Sequence, residues 1–266
     1  DRAAAEFGLS KEILYDDFRK AIRQSGANIA VVVLPGALHF EADCMALQQG
    51  MHVITEKPLA MSLEEVEKLL AVKKEHPGQK FMASQNYRWR PHNRTIKRAL
   101  ESGMVGRVES VLIEFRRNED LQGYRGGLAC PILEDMSIHH FDLLRFFTRS
   151  DCEEVFCRTW RPSWSLYPGK PNAEAIFTIK NGIRAFYTAT WAARGRETSW
   201  DGDITITGEK GCIRLDADNT VRFFEHCPTG AVLDTGIQPG VVLPHEVMKQ
   251  TEMAYGLEHF LDCIEK

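Results

Sequence analysis

The sequence predicts an α/β chain in two parts: a parallel βαβαβ half, then an α+β domain built on an antiparallel sheet. Three observations carry this. Short all-apolar runs alternate with helical patterns up to about residue 85, and such strands suit a parallel sheet covered on both faces. From residue 153 onward, strand-length segments follow one another with only turn signals between them. No stretch repeats and no low-complexity linker intervenes, so the change of pattern near Ser84 marks a change of layer architecture.

In the first part, Asp16-Asp17-Phe18 caps and opens a helix that ends near Gly26. Residues 29–34 form an apolar run of strand length that Pro35-Gly36 breaks. His39 to Gln49 has helical spacing and stops at Gly50, a natural C-cap. A second strand, 51–55, follows at once. Ser62-Leu63-Glu64-Glu65 reads as a capping box opening a helix to about residue 75, and Pro77-Gly78 turns the chain into a third strand, 80–84. Right-handed crossovers are expected between these strands.

In the second part, Pro91 to Ser102 reads as a helix closed by Gly103, and 107–115 as a longer strand with partial alternation. Strands follow at 153–160, 173–180, 183–192, 203–207, 211–216 and 220–225. They are divided by turn signals such as Asn181-Gly182 and Asp218-Asn219. Helical patterns at 137–148 and 247–265 are expected to cover one face of the sheet, leaving the other solvated or buried against a second subunit.

Composition narrows the function. A chain of 266 residues with 44% hydrophobic and 26% charged residues is an ordinary globular protein of one or two domains. Its net charge of −4, with no Lys/Arg block, leaves out nucleic acid as a partner. No apolar run approaches the roughly 20 residues of a membrane span, so no membrane partner is expected and the expected compartment is the cytoplasm. The seven cysteines are scattered with no Cys-x-x-Cys pair, which fits buried free thiols and no metal site.

The stretch Ile54 to Ala60 organises the chain, because Glu56-Lys57-Pro58 stands at the carboxyl end of a strand, the edge where open α/β sheets bind ligands. With it, in order, come Val31-x-x-Leu34-Pro35-x-x-x-His39, Asn86-Tyr87-Arg88-Trp89-Arg90-Pro91, Gly103-x-Val105-Gly106 and Asp135-x-x-x-His139-x-x-Asp142. In that order and spacing the motifs resemble the Gfo/Idh/MocA family of nicotinamide-dependent oxidoreductases, and the likeness covers the whole chain.

The resemblance implies a partial Rossmann nucleotide-binding domain over 1–85 and, over 86–266, a substrate-binding and oligomerisation domain with a large open, mostly antiparallel sheet. It implies NAD or NADP as cofactor, a sugar, inositol or related polyol as substrate, and a homodimer or homotetramer formed through the open sheet. It places Leu34, Pro35, His39, Glu56, Lys57, Pro58 and Asn86 at the cofactor, and Lys57, Arg88, Asp135 and His139 at the substrate. Two departures stand out. The glycine-rich fingerprint and the ribose-binding acid are not in these residues, and Asp1-Arg2-Ala3-Ala4 looks like the helix after them. The first strand, the glycine turn and the second strand, on the order of 40 to 50 residues of a βαβ unit, are therefore expected upstream, with weak dinucleotide binding by these 266 residues alone. Leu128-Ala129-Cys130-Pro131 and Ser137 also stand where the family commonly has glycines.

The chemistry of these residues agrees. Oxidising a secondary alcohol sends a hydride from carbon and a proton from oxygen, so a base must touch the hydroxyl and a cation should stabilise the alkoxide. His139 is the expected base, Lys57 the cation, and Asp135 a partner of substrate or imidazole. Plainer readings also fit: Lys57 as a solvated strand-end lysine, Asp135 as a helix N-cap, His139 or His140 as a packed histidine, Asp142 as a surface partner of Arg145, His39 as an N-cap. Two other functions stay open, a non-catalytic sugar or nucleotide sensor and an NAD-dependent glycoside-cleaving enzyme.

Overall fold

The computed structural model describes residues 2–119, 123–227 and 239–266; Asp1, part of the expected opening helix, lies outside them. In chain order the first elements are α1 (Arg2–Phe7), α2 (Phe18–Gln24), β1 (Ile29–Val32), α3 (His39–Gln48), β2 (His52–Thr55), α4 (Leu63–Glu75) and β3 (Phe81–Ala83). Then come α5 (Pro91–Glu101), β4 (Val108–Arg116), α6 (Ile138–Thr148), β5 (Cys152–Trp160), β6 (Asn172–Ile179) and β7 (Arg184–Thr190). The last are β8 (Asp203–Gly208), β9 (Gly211–Leu215), β10 (Val221–Glu225), β11 (Val241–Leu243) and α7 (Glu252–Glu265). The chain divides into two compact units, one of residues up to Asn86 with Met253–Lys266, the other Tyr87–Glu252.

In the first unit, β1, β2 and β3 form a parallel sheet in that order, with Val31 beside Ile54 and Val32 beside Thr55. Alternation sends Val32 and Val53 to one face, where they pack on Ala42, Ala46 and Leu47 of α3 and Leu69 of α4. The helix signals work as the residues dictate. Asp17 accepts from Arg19 N, Gly50 takes a φ of +80°, and Ser62 accepts from Glu65 N. The Glu65 carboxylate reaches back to accept from Met61 N at 2.9 Å, one residue beyond the expected Ser62 amide.

Val31, Val33 and Ile54 point to the opposite face, where they line an apolar cleft with Met253, Ala254 and Leu257 of α7. This corrects one expectation: α7 belongs to the unit of the parallel sheet, not to that of the antiparallel one. It forms one wall of the cleft and leaves Val31 and Val33 exposed, so this face of the sheet is only partly covered.

The second unit is an eight-stranded sheet in the order β11-β10-β9-β8-β4-β7-β6-β5. All pairs are antiparallel except β4 with β7, which run parallel with Leu112 beside Phe186. β11 pairs with β10 through Val221 and Leu243; three residues are too few to show a period in the sequence. One face of the sheet packs on α5 and α6, joining Val111, Ile113 and Phe115 to Ile96, Leu143 and Phe147. Burying side chains of this size contributes about 1.5–3 kcal/mol each.

The cysteines also differ from expectation. All seven are free, but none is fully buried, and Cys152 and Cys157 are exposed. Cys44 and Cys263 lie on partly covered helices, Cys212 on β9, Cys130 and Cys227 in loops, and Cys152 and Cys157 on β5, an edge strand whose side chains are mostly exposed. Among the described residues no helix is long and apolar enough to cross a membrane, and no group of acidic, histidine or cysteine side chains could hold a metal ion.

Candidate functional site

In the first unit the carboxyl ends of β1 and β2 carry Leu34-Pro35 and Glu56-Lys57-Pro58. Main-chain bonds extend the strands into these loops: Glu56 N donates to Val32 O at 2.9 Å, and Ser84 N to Thr55 O at 2.7 Å. The Lys57–Pro58 peptide is cis. Lys57 is half-buried, and its amide lies 3.2 Å from the Glu56 carboxylate. Gly36 lets the two loops approach closely: a Cβ at that position would lie 3.1 Å from Pro58 Cγ, and the proline ring would have to give by a few tenths of an ångström.

His39 holds the two loops together. Its ring is 1% exposed; Nδ1 lies 2.7 Å from Pro58 O and Nε2 2.7 Å from Leu34 O, both carbonyl acceptors. This corrects its reading as an N-cap: Leu38 holds that position and His39 is the first residue of α3. With both nitrogens engaged inside the unit, His39 sets the shape of the cofactor loops from beneath.

Two polar groups that the sequence did not single out stand near these strand ends. Gln85 Oε1 is buried and accepts no hydrogen bond from the described residues. It follows β3 directly and precedes Asn86, which opens a 3-10 turn, Asn86–Trp89. Asp43 of α3 is fully buried; neither carboxylate oxygen has a hydrogen bond among the described residues, and neither does the Thr55 hydroxyl, its polar neighbour. Burial pushes the Asp43 carboxyl up to about 7.

In the second unit, Asp135 and His139 stand on consecutive turns, but Asp135 is no N-cap. Residues Ile132–Ser137 form a π-helical turn that runs into α6, and Asp135 lies inside it. π-Helical turns commonly re-aim side chains at functional sites. Asp135 is 7% exposed and accepts from Arg125 Nε at 2.7 Å. Arg125 comes from the turn Gly123–Gly127, and nothing in that glycine-rich stretch marks it in the sequence. Ser137, one of the departures from the family pattern, donates to Ile132 O and lies 2.8 Å from the Tyr187 hydroxyl, so it fastens the π-turn to β7.

The structure separates the adjacent histidines. His140 is fully buried, with Nδ1 2.9 Å from Tyr187 Oη and Nε2 3.0 Å from Trp200 O. Burial depresses its pKa to about 4, so it is the packed, neutral histidine. His139, 8% exposed, stacks on Tyr87 with centroids 4.4 Å apart. Arg88 clasps Asp142 through Nε at 2.7 Å and Nη2 at 2.6 Å. This corrects the expected Asp142–Arg145 pair; Arg145 instead binds Asp151 at 2.8 Å. A fork-shaped guanidinium matches a carboxylate better than an i, i+3 surface neighbour does, and it commits much of Arg88 to holding α6.

Comparison with known proteins agrees with this arrangement. Residues 1–85 match the oxidoreductase family model with an NAD-binding Rossmann fold, and residues 93–214 match the GFO/IDH/MocA C-terminal domain. A D-apiose dehydrogenase of Paraburkholderia graminis is 28% identical over 271 residues, covering 99% of this chain and 70% of that protein. A myo-inositol 2-dehydrogenase of Thermotoga maritima is 28% identical, covering 79% of this chain and 62% of that protein. An oxidoreductase of Agrobacterium radiobacter, solved with NAD+, L-tartaric acid and magnesium, superposes with a TM-score of 0.80 at 21% identity, over 99% of this chain and 73% of that one. This chain spans 60% to 70% of the length of three curated relatives that it matches. With both domain models matched in order and the motif residues at strand and helix ends, the chain belongs to the Gfo/Idh/MocA family of oxidoreductases.

Proposed function

We propose that the protein transfers a hydride between a nicotinamide dinucleotide and a secondary alcohol of a sugar, inositol or related polyol. The observation that carries this is Lys57 at the carboxyl end of a strand in a parallel sheet, half-buried and set by the His39 clasp. The residues present fit the nicotinamide end of such a cofactor. Leu34 and Pro35 offer an apolar wall, and the unpartnered Gln85 Oε1 next to Asn86 offers an acceptor for a carboxamide. The bound cofactor supplies the hydride acceptor or donor.

The protein's own groups manage the proton and the charge. His139 takes the hydroxyl proton as general base, a role typically contributing 10²–10⁴-fold. Lys57 donates to the oxygen that becomes alkoxide-like. Asp135, fixed by Arg125, binds a second substrate hydroxyl. The assay is a panel of myo-inositol, D-apiose, levoglucosan and common hexoses with NAD+ and NADP+, read at the reduced-nicotinamide absorbance. Turnover of a panel member is expected of the full-length protein, with the glycine-turn segment in place. Cofactor binding without turnover on any member favours a sensor, and a cleaved glycoside among the products favours the elimination chemistry.

A second copy of the chain is proposed as partner. Phe156, Ile176, Phe186 and Leu112 are neighbours in register on β5, β6, β7 and β4, and all four are exposed large apolar residues. Arg158 and Glu154 flank this row on β5. A twofold axis along the row sets each Arg158 against the other copy's Glu154, with no like charges opposed. Light scattering should report a dimer that Phe186→Lys dissociates; a monomeric wild type ends this reading. The reaction is placed in the cytoplasm, where seven free thiols persist, and cell fractionation checks it.

A further inference from the structure

We propose that Tyr87 is a positioning residue for His139: its ring, held on one face by the Arg90 guanidinium, stacks with the other face on the imidazole and fixes its plane. The inference rests on His139 being the base. Its geometry lies wholly within the second unit.

The Tyr87 and His139 rings lie 4.4 Å apart with their planes 9° from parallel. Arg90 Cζ sits 3.6 Å from the Tyr87 centroid. Carbon atoms pack at about 3.5–4.0 Å, so two flat groups at these distances cannot share one face and must sandwich the ring. Arg90 is anchored in turn. Its Nη1 binds Asp201, which is 1% exposed. Asn93 donates to the other Asp201 oxygen at 2.5 Å and to the Tyr87 carbonyl at 2.9 Å. One buried carboxylate thereby orders the cation over the ring and, through Asn93, the ring's own backbone. Burial alone would raise the Asp201 pKa; His92, Arg90 and Asn93 outweigh it and hold the group below the usual carboxylate range.

Tyr87 has no proton chemistry of its own to offer. It is 6% exposed, and burial raises its hydroxyl pKa, keeping the phenol neutral. What it supplies is a flat wall. An imidazole turns about its Cβ–Cγ bond, and a general base must aim one nitrogen lone pair within hydrogen-bond reach of the hydroxyl. The stack removes that rotation before substrate arrives. His140, 6.4 Å from the Tyr87 ring and edge-on to it, adds a second restraint and is itself pinned by Tyr187 and Trp200.

The test uses the full chain with Tyr87→Phe, Tyr87→Leu and His139→Gln. In NMR spectra of histidine-labelled protein, the His139 ring protons are identified by their loss in His139→Gln. They are expected upfield in wild type and Tyr87→Phe through the ring current of the stack, and shifted back in Tyr87→Leu. On the panel polyol turned over fastest, Tyr87→Phe should keep kcat within about twofold. Tyr87→Leu should lower kcat by about 10- to 100-fold, with KM changed far less, as misplacement of a catalytic group does; a plain packing defect would lower active protein and leave the kcat of the folded fraction alone. Unshifted His139 protons in wild type overturn the proposal, even if Tyr87→Leu fails to fold or no panel polyol reacts. So does an unchanged kcat in folded Tyr87→Leu. Full turnover by His139→Gln removes the base assignment instead, a different result from loss of the stack.

Discussion

Replacing His139 or Lys57 by alanine is expected to lower kcat by about 10²-fold or more while leaving the fold intact. The two losses have different origins. Without His139 the hydroxyl proton must leave to water or to a poorly placed group. Without Lys57 the negative charge that develops on oxygen has no cation to meet it. Neither change empties a core: Lys57 is half-buried in a loop, and the wall beside His139 is held from behind by Arg90 and Asp201. Circular dichroism should show native spectra, and steady-state assays should show the fall in kcat. A folded variant with near wild-type turnover would strip that residue of its assigned role.

Asp43→Asn is expected to stabilise the first unit by up to about 4 kcal/mol at pH 8. The folded carboxyl titrates at about 7 against an ordinary value of 3.8. Below pH 4 both folded and unfolded states hold the proton, and the group costs nothing. As pH rises toward 7, the unfolded chain releases its proton while the buried acid keeps it, and each unit of difference costs about 1.4 kcal/mol. Stability contributed here is therefore greatest in acid and lost on the way to neutrality. Asparagine does not titrate, so this contribution to the pH dependence should vanish in the variant. His140 works in the opposite sense in the second unit. Its pKa is depressed to about 4, so its burial weakens the fold as pH drops below about 6.5. Denaturant melts at pH 5 and pH 8 separate the two effects, and an Asn variant less stable than wild type at pH 8 would show that Asp43 is ionised and paired in solution.

The parts of this molecule that obey local rules were legible in the sequence. β1, β2 and β3 follow from short apolar runs, and the ends of α2, α3 and α4 from Asp17, Gly50 and Ser62, because capping and φ preference act over three or four residues. What escaped depends on distant partners. Asp201, between Trp200 and Gly202, looks like a turn residue, and only the fold brings Arg90 and Asn93 to it. Arg125 has no pattern of its own until Asp135 meets it. His39 was visible as a motif residue, yet its spacing could not show that both nitrogens face inward to carbonyls. Pairing on the surface of α6 was misjudged for the same reason: i, i+3 proximity put Asp142 beside Arg145, while Arg88, 54 positions away in sequence, offered the better fork.

The parallel pair of β4 and β7 has a kinetic consequence. In the sheet order, β4 alone joins the β5-β6-β7 meander to the β8-β9-β10-β11 meander. Each meander can zip from its own turns, but β4 precedes both in the chain and is separated from β7 by α6, β5 and β6. Closing that long loop is the slow, entropically costly step. The second unit should thus assemble as two locally formed halves riveted by a strand made before either. Pulsed hydrogen exchange during refolding should protect β6 and β9 ahead of β4, and simultaneous protection of all three would mean that the sheet forms in one event.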